Sequence, residues 1–174
     1  MILSVDPGLA KLGTAIIDPI NEKVLLTHYI KTSSKNTTTQ RISQIISEIS
    51  SYITTYNINQ ICIEELYSHP DRKYLLRTYR VIGAIQLLAI QKNIAVQEIN
   101  PSHMKKIITG NGRADKKEIL ESITDILPDS QYNQLIDAEN HEIDAIGIGI
   151  TYIRDFVNPD FMKKKEKKKM TLFA

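Results

Sequence analysis

Ile2-Leu3-Ser4-Val5-Asp6-Pro7-Gly8, running on to Gly13-Thr14-Ala15-Ile16-Ile17-Asp18, is the stretch from which the architecture can be read. Its two apolar runs, Ile2–Val5 and Thr14–Ile17, have the length and β-branched content of adjacent strands in a buried sheet. A turn rich in Gly and Pro joins them, and one carboxylate, Asp6, stands at the end of the first strand. A charge in that place is costly unless something partners it. An Asp that hydrogen-bonds its own turn is the simplest reading. A shared acidic site is the alternative, and it requires other acids that can reach the same point.

Outward from there, Val24–Ile30 predicts a third strand beyond the turn at residues 18–21. Thr37 with Gln40 forms a capping box, and Ile42, Ile45, Ile46, Ile49 and Ile53 follow at helical spacing. Asn57-Ile58-Asn59 breaks that helix, and Ile61-Cys62-Ile63 is a short buried strand ending in Glu64-Glu65. Strand, strand, strand, helix, strand is the order of a mixed sheet with a parallel crossover. Glu64 then ends a central strand as Asp6 does. If the two strands are parallel neighbours, both carboxylates emerge at the edge where α/β folds place their ligands. Glu65 faces the other way by the period of two.

Ser68-His69-Pro70-Asp71 predicts the start of a long helix, with Pro70 in its first turn and its end near Lys92. Leu75, Leu76, Tyr79, Ile82, Leu88 and Ala89 form its apolar stripe. Its opening turns carry Arg72, Lys73, Arg77 and Arg80, interleaved with Tyr67, Tyr74 and Tyr79. Such a run is either a solvated face or a phosphate-binding strip with an aromatic wedge at its head. A strand at Ala95–Ile99 and a short helix at His103–Ile108 lead into Thr109-Gly110-Asn111-Gly112-Arg113-Ala114-Asp115-Lys116-Lys117. Two glycines there allow close approach to a ligand, and Lys105, Lys106, Arg113, Lys116 and Lys117 surround them. Asp115 with Glu118 caps a further amphipathic helix that Pro128 ends.

The third acid lies in Asp137-Ala138-Glu139-Asn140-His141-Glu142-Ile143-Asp144, which opens a last helix running through Ile153. His141 and Asp144 are three apart and share a face, with Asp137 one turn earlier. They are either a surface pair or, with the helix beside the Asp6 strand, partners of the two strand-end carboxylates. In the second case Asp6, Glu64, His141 and Asp144 make a hard, oxygen-rich donor set suited to Mg²⁺ or Mn²⁺. Two such ions can hold both the attacking water and the leaving oxygen of a phosphodiester.

Composition sets the outer limits. At 174 residues and 42% apolar content the chain suits one domain with a full core. No run of 18 apolar residues offers a membrane span, and no charged leader with an apolar stretch opens the chain. The single cysteine, Cys62, lies between isoleucines and reads as a small buried hydrophobe, which fits a reducing cytoplasm. Residues 163–169 hold six Lys and one Glu, so the remainder of the chain is net negative against a total of +2. Any nucleic acid must therefore be held by local basic clusters, helped by metal ions at the acids.

These motifs together resemble the RuvC family of Holliday junction resolvases, within the ribonuclease-H-like superfold. The likeness runs from Met1 to about Val157. It is carried by Val5-Asp6-Pro7-Gly8 with Gly13, by Ile63-Glu64, by Pro101-Ser102 through Lys116, and by His141-Glu142-Ile143-Asp144-Ala145. It implies a mixed five-stranded α/β sheet flanked by helices over residues 1–158, with residues 159–174 as a basic tail. It further implies a Mg²⁺-dependent endonuclease, with Mn²⁺ as substitute, that nicks four-way DNA junctions as a homodimer beside a branch-migration helicase. By the same resemblance Asp6, Glu64, His141 and Asp144 match the metal-binding catalytic positions. Tyr67 falls where the family carries an aromatic residue, usually Phe, and Lys105 and Lys116 match DNA-contacting lysines. The segment Ser68–Val81 departs from the family pattern in being more basic and richer in tyrosine. Flap- or fork-cutting nucleases, a junction binder without catalysis, and an actin-like sugar kinase are the alternative classes; the last needs two such domains. The end Met170-Thr171-Leu172-Phe173-Ala174 either packs on the body or docks a sliding clamp, with Lys169 where that motif has Gln.

Overall fold

Near-continuous burial along the first two strands, Ile2–Asp6 and Lys11–Asp18, sets the sheet between two layers of helix. The computed structural model describes residues 1–21, 23–66, 70–126 and 140–159. Strands β1 (Ile2–Asp6), β2 (Lys11–Asp18) and β3 (Lys23–Lys31) form an antiparallel meander. Strand β4 (Gln60–Glu64) pairs parallel with β1, and β5 (Ala95–Ile99) pairs parallel with β4, giving the order β3-β2-β1-β4-β5. The register sets Ser4 beside Cys62 and Val5 beside Ile63, so the next residues, Asp6 and Glu64, leave adjacent strands at one edge.

Each parallel connection contains a helix on one face. Helix α1 (Thr38–Thr55) starts at the Thr37–Gln40 capping box, and α2 (Arg72–Gln91) lies beside it. Ile45 and Ile49 of α1 and Val81 and Ile85 of α2 pack with Leu3, Val5, Ile16, Ile61 and Ile63. The opposite face, Ile2, Ala15, Ile17, Cys62 and Ile99, is covered by α3 (Pro101–Thr109), α4 (Lys116–Ile126) and α5 (Asn140–Tyr152). A π-helical turn, Ile153–Val157, continues α5. Buried Cys62 sits in this second layer, as its isoleucine neighbours predict.

Three expectations change. Pro70 precedes α2 rather than entering its first turn: Asp71 is the N-cap and accepts from the Lys73 and Tyr74 amides at 2.8 and 3.2 Å. Of the expected α2 stripe, Ile82, Leu88 and Ala89 are buried, but Leu76 and Tyr79 are 53% and 47% exposed. The sheet takes Thr78, Val81 and Ile85 instead, because the residues facing it lie one helical step round from the stripe read in sequence. Finally, Gly110 has φ of 83° and ends α3 as a left-handed cap, so a chain-reversal requirement accounts for it without any ligand. The Asp115–Glu118 box forms as expected, each side chain accepting from the other's amide. The helix stop at Pro128 lies outside the described residues, as does Asp137.

Candidate active site

Asp6 and Glu64 occupy equivalent ends of parallel neighbours and, by the period of two, point to the face that α5 covers. Bringing α5 onto that edge requires an unusually close approach. At Gly13, the cross-strand partner of Asp6, a Cβ would stand 1.9 Å from the His141 carbonyl oxygen. Only glycine admits the first turn of α5 there. That contact places His141 over the strand end, where its Nδ1 and Asp6 Oδ2 share a hydrogen bond of 2.6 Å. Tyr29, opposite Gly13 on β3, lies parallel to the imidazole at 6.0 Å between centroids, and Lys11 Nζ stands over the Tyr29 ring.

Asp144, one turn on from His141, faces the same point. Burial, and then the Asp6 charge, hold its carboxyl above the ordinary aspartate range. Glu64 is affected more strongly: burial and the charges of Asp6 and Asp144 push it up to about 8. His141 is raised chiefly by its bond to Asp6. Three acids crowded at a low-dielectric edge thus repel one another more than the nearby cations offset. Lys116 Nζ approaches Asp144 Oδ2 at 4.0 Å, and Lys105 is near enough to favour ionised Glu64 and Asp144, though its amine also donates to the Ala114 carbonyl at 2.9 Å.

The donor set, three carboxylates and one imidazole with no thiolate, fits a hard divalent cation. Among the described residues no three His, Cys, Asp or Glu side chains stand close enough together to hold a metal ion as they are placed. The four groups form an open cluster around Asp6, with the Asp6–His141 hydrogen bond as its only direct bond among the described residues.

The other predicted residues are spread more widely. Arg72, Lys73 and Arg77 are exposed on the first two turns of α2, and Lys106 and Arg113 are exposed around the α3–α4 turn. Tyr67 lies outside the described residues, as does the tail with its expected clamp contact. Sequence reading misses Tyr29, which can be found by extending the β2–β3 register to the partner of Gly13.

Comparison with known proteins bears on the fold and the family. The family model described as crossover junction endodeoxyribonuclease RuvC matches residues 2–152. A protein of that name from Finegoldia magna is 30% identical over 154 residues, covering 87% of this chain and 92% of its own. One from Caldicellulosiruptor saccharolyticus is 32% identical over 155 residues, covering 87% and 91%. Among solved structures, T. thermophilus RuvC in complex with Holliday junction substrate superimposes with a TM-score of 0.75 at 20% identity, over 87% of this chain and 91% of that one. The Fowlpox virus resolvase, solved with substrate Holliday junction DNA, gives 0.59 at 16% identity over 90% and 100%. An acidic edge built from β1, β4 and α5, on a sheet shared with these resolvases and a sequence matched almost end to end, places the chain in the crossover junction endodeoxyribonuclease RuvC family.

Proposed function

We propose that this chain is a metal-dependent endonuclease that nicks four-way DNA junctions in pairs, working as a homodimer. The observation that carries the reading is the convergence of Asp6, Glu64, His141 and Asp144 at one sheet edge, with Lys105 and Lys116 at its side. Divalent ions bound there, Mg²⁺ or Mn²⁺ and two per site, would polarise the scissile phosphate and supply a nucleophilic water. Asp6, Glu64 and Asp144 would hold the ions, and His141, oriented by Asp6, would complete the set. Lys116 and Lys105 would bind phosphates beside the scissile bond, and the exposed Arg72, Lys73, Lys106 and Arg113 would extend that contact along the strand. Tyr67 is proposed to wedge the junction centre.

Pairing is supported by α2. Leu76, Tyr79, Leu87 and Ile90, between 47% and 72% exposed, recur with Gly83 at three- and four-residue intervals on the face turned away from the sheet. A second copy packed on this stripe gives an isologous dimer, whose two-fold axis matches that of a four-way junction. Tyr79 also donates to the Leu66 carbonyl at 2.6 Å, which ties the stripe to the segment following Glu64. Cleavage of labelled four-way, flap and duplex DNA, with and without Mg²⁺, tests the proposal. Symmetric nicks confined to the four-way substrate and dependent on metal support it; equal cutting of flaps favours the broader branched-DNA enzyme, and binding without cutting a non-catalytic binder.

A further inference from the structure

Behind the Asp6-Pro7-Gly8 turn, on the side of the sheet away from Lys105 and Lys116, a cleft of about 110 Å³ opens between Leu9, Ala10, Arg41, Asp71, Tyr74, Arg77 and Thr78. It is lined by one arginine from each of two helices, Arg41 of α1 and Arg77 of α2. Arg41 is held rather than loose. Its Nε donates to Thr32 Oγ1 at 2.7 Å; the same hydroxyl donates to the Leu9 carbonyl at 2.5 Å, and the Thr32 amide reaches the Ala10 carbonyl at 3.1 Å. Thr32 is buried, so this strut joins Arg41 rigidly to the turn that begins at Asp6. Among the described residues neither Arg41 nor Arg77 has a carboxylate within ion-pair distance. The acid that lines the cleft, Asp71, is engaged by the Lys73 and Tyr74 amides. Leu9 and Ala10, which line the cleft, follow the end of β1 at Asp6 by three and four residues, so the cleft lies against the loop that leaves the acidic edge.

One guanidinium anchored by Thr32 and a second, exposed one lining the same small concave site suit one tetrahedral phosphodiester and its charge. We propose that the Arg41–Arg77 cleft is a phosphate subsite that holds the cleaved DNA strand on the far side of the scissile bond from Lys105 and Lys116, so that the strand is gripped at both ends of the acidic edge. The inference rests on the nuclease reading above and adds a residue, Arg41, and a direction for the strand.

The test is a binding cycle carried out in EDTA, so that it does not depend on cleavage. Junctions carry one neutral methylphosphonate at each of the phosphates flanking the expected nick in turn, and each is bound by wild type and by Arg77→Ala. At one position on the side opposite Lys116, the modification should weaken wild-type binding about tenfold, the scale of one charge-assisted contact. It should weaken Arg77→Ala by clearly less, because only Arg41 then faces that phosphate, and that variant should lower the slope of log K against log salt by roughly 0.9. Arg41→Ala should behave likewise at the same position; if loss of the Thr32 bond unfolds it, Arg77→Ala alone decides. Losses that add at every position overturn the subsite while leaving the nuclease reading intact. Failure of wild type to bind any junction overturns both. A cleft that takes only free inorganic phosphate would show additive losses together with a phosphate-dependent rise in wild-type Tm, and that too overturns the proposal.

Discussion

At the scale of the residue, Glu64 is the most informative side chain in the molecule. Its carboxyl titrates near 8 in the fold against an ordinary value of 4.5, because burial and the Asp6 and Asp144 charges disfavour ionisation. Between those values the folded chain keeps a proton that the unfolded chain has released. Without metal, stability should therefore fall as pH rises from about 4.5 to 8, by up to about 1.4 kcal/mol for each pH unit crossed. Glu64→Gln removes that penalty. Its Tm in EDTA should exceed that of wild type at pH 8 and converge on it near pH 4, a difference that thermal melts at the two pH values measure directly. A constant offset between the two proteins would mean that Glu64 is not held neutral by its neighbours.

At the scale of the element, the parts of the fold legible in advance are those where the local pattern and the tertiary demand coincide. Ile2–Val5, Ile61–Ile63, the Thr37–Gln40 box and the Asp115–Glu118 box all fall where expected, since each is fixed by burial or by capping within a few residues. The strand-end positions of Asp6 and Glu64 follow from the same signals. The docking of α5 is different: it depends on Gly13, whose missing side chain matters only because His141 comes to rest on it from far along the chain. The sheet-facing stripe of α2 escapes sequence reading for a similar reason, because apolar residues occupy two faces of that helix and sequence does not say which one the sheet takes. Gly13→Ala should accordingly push the first turn of α5 away from Asp6. We expect a stability loss of about 1–3 kcal/mol from overpacking, with a far larger proportional loss of junction cleavage. Denaturant melts and single-turnover cleavage on one preparation check this; unchanged cleavage would show that α5 can retreat without disturbing the site.

At the scale of the whole molecule, a junction with two equivalent strands asks for two equivalent sites, and the second apolar face of α2 offers the means. Leu87→Glu with Ile90→Glu should turn the dimer into a monomer in sedimentation velocity while leaving melting behaviour close to wild type, since both side chains are exposed in the single chain. Junction nicking should then become unpaired. Wild type that sediments as a monomer both alone and on junction DNA would contradict the arrangement. Whether one acidic edge of the sheet cuts the junction is decided by binding and Mg²⁺-dependent cleavage of one labelled four-way junction, measured with wild type, Asp6→Asn, Glu64→Gln and Asp144→Asn. All three variants should bind as tightly as wild type or tighter, having lost a charge that repels phosphate, and cleave at least about 100-fold more slowly. Cleavage near the wild-type rate by any one of them would contradict that role for the edge.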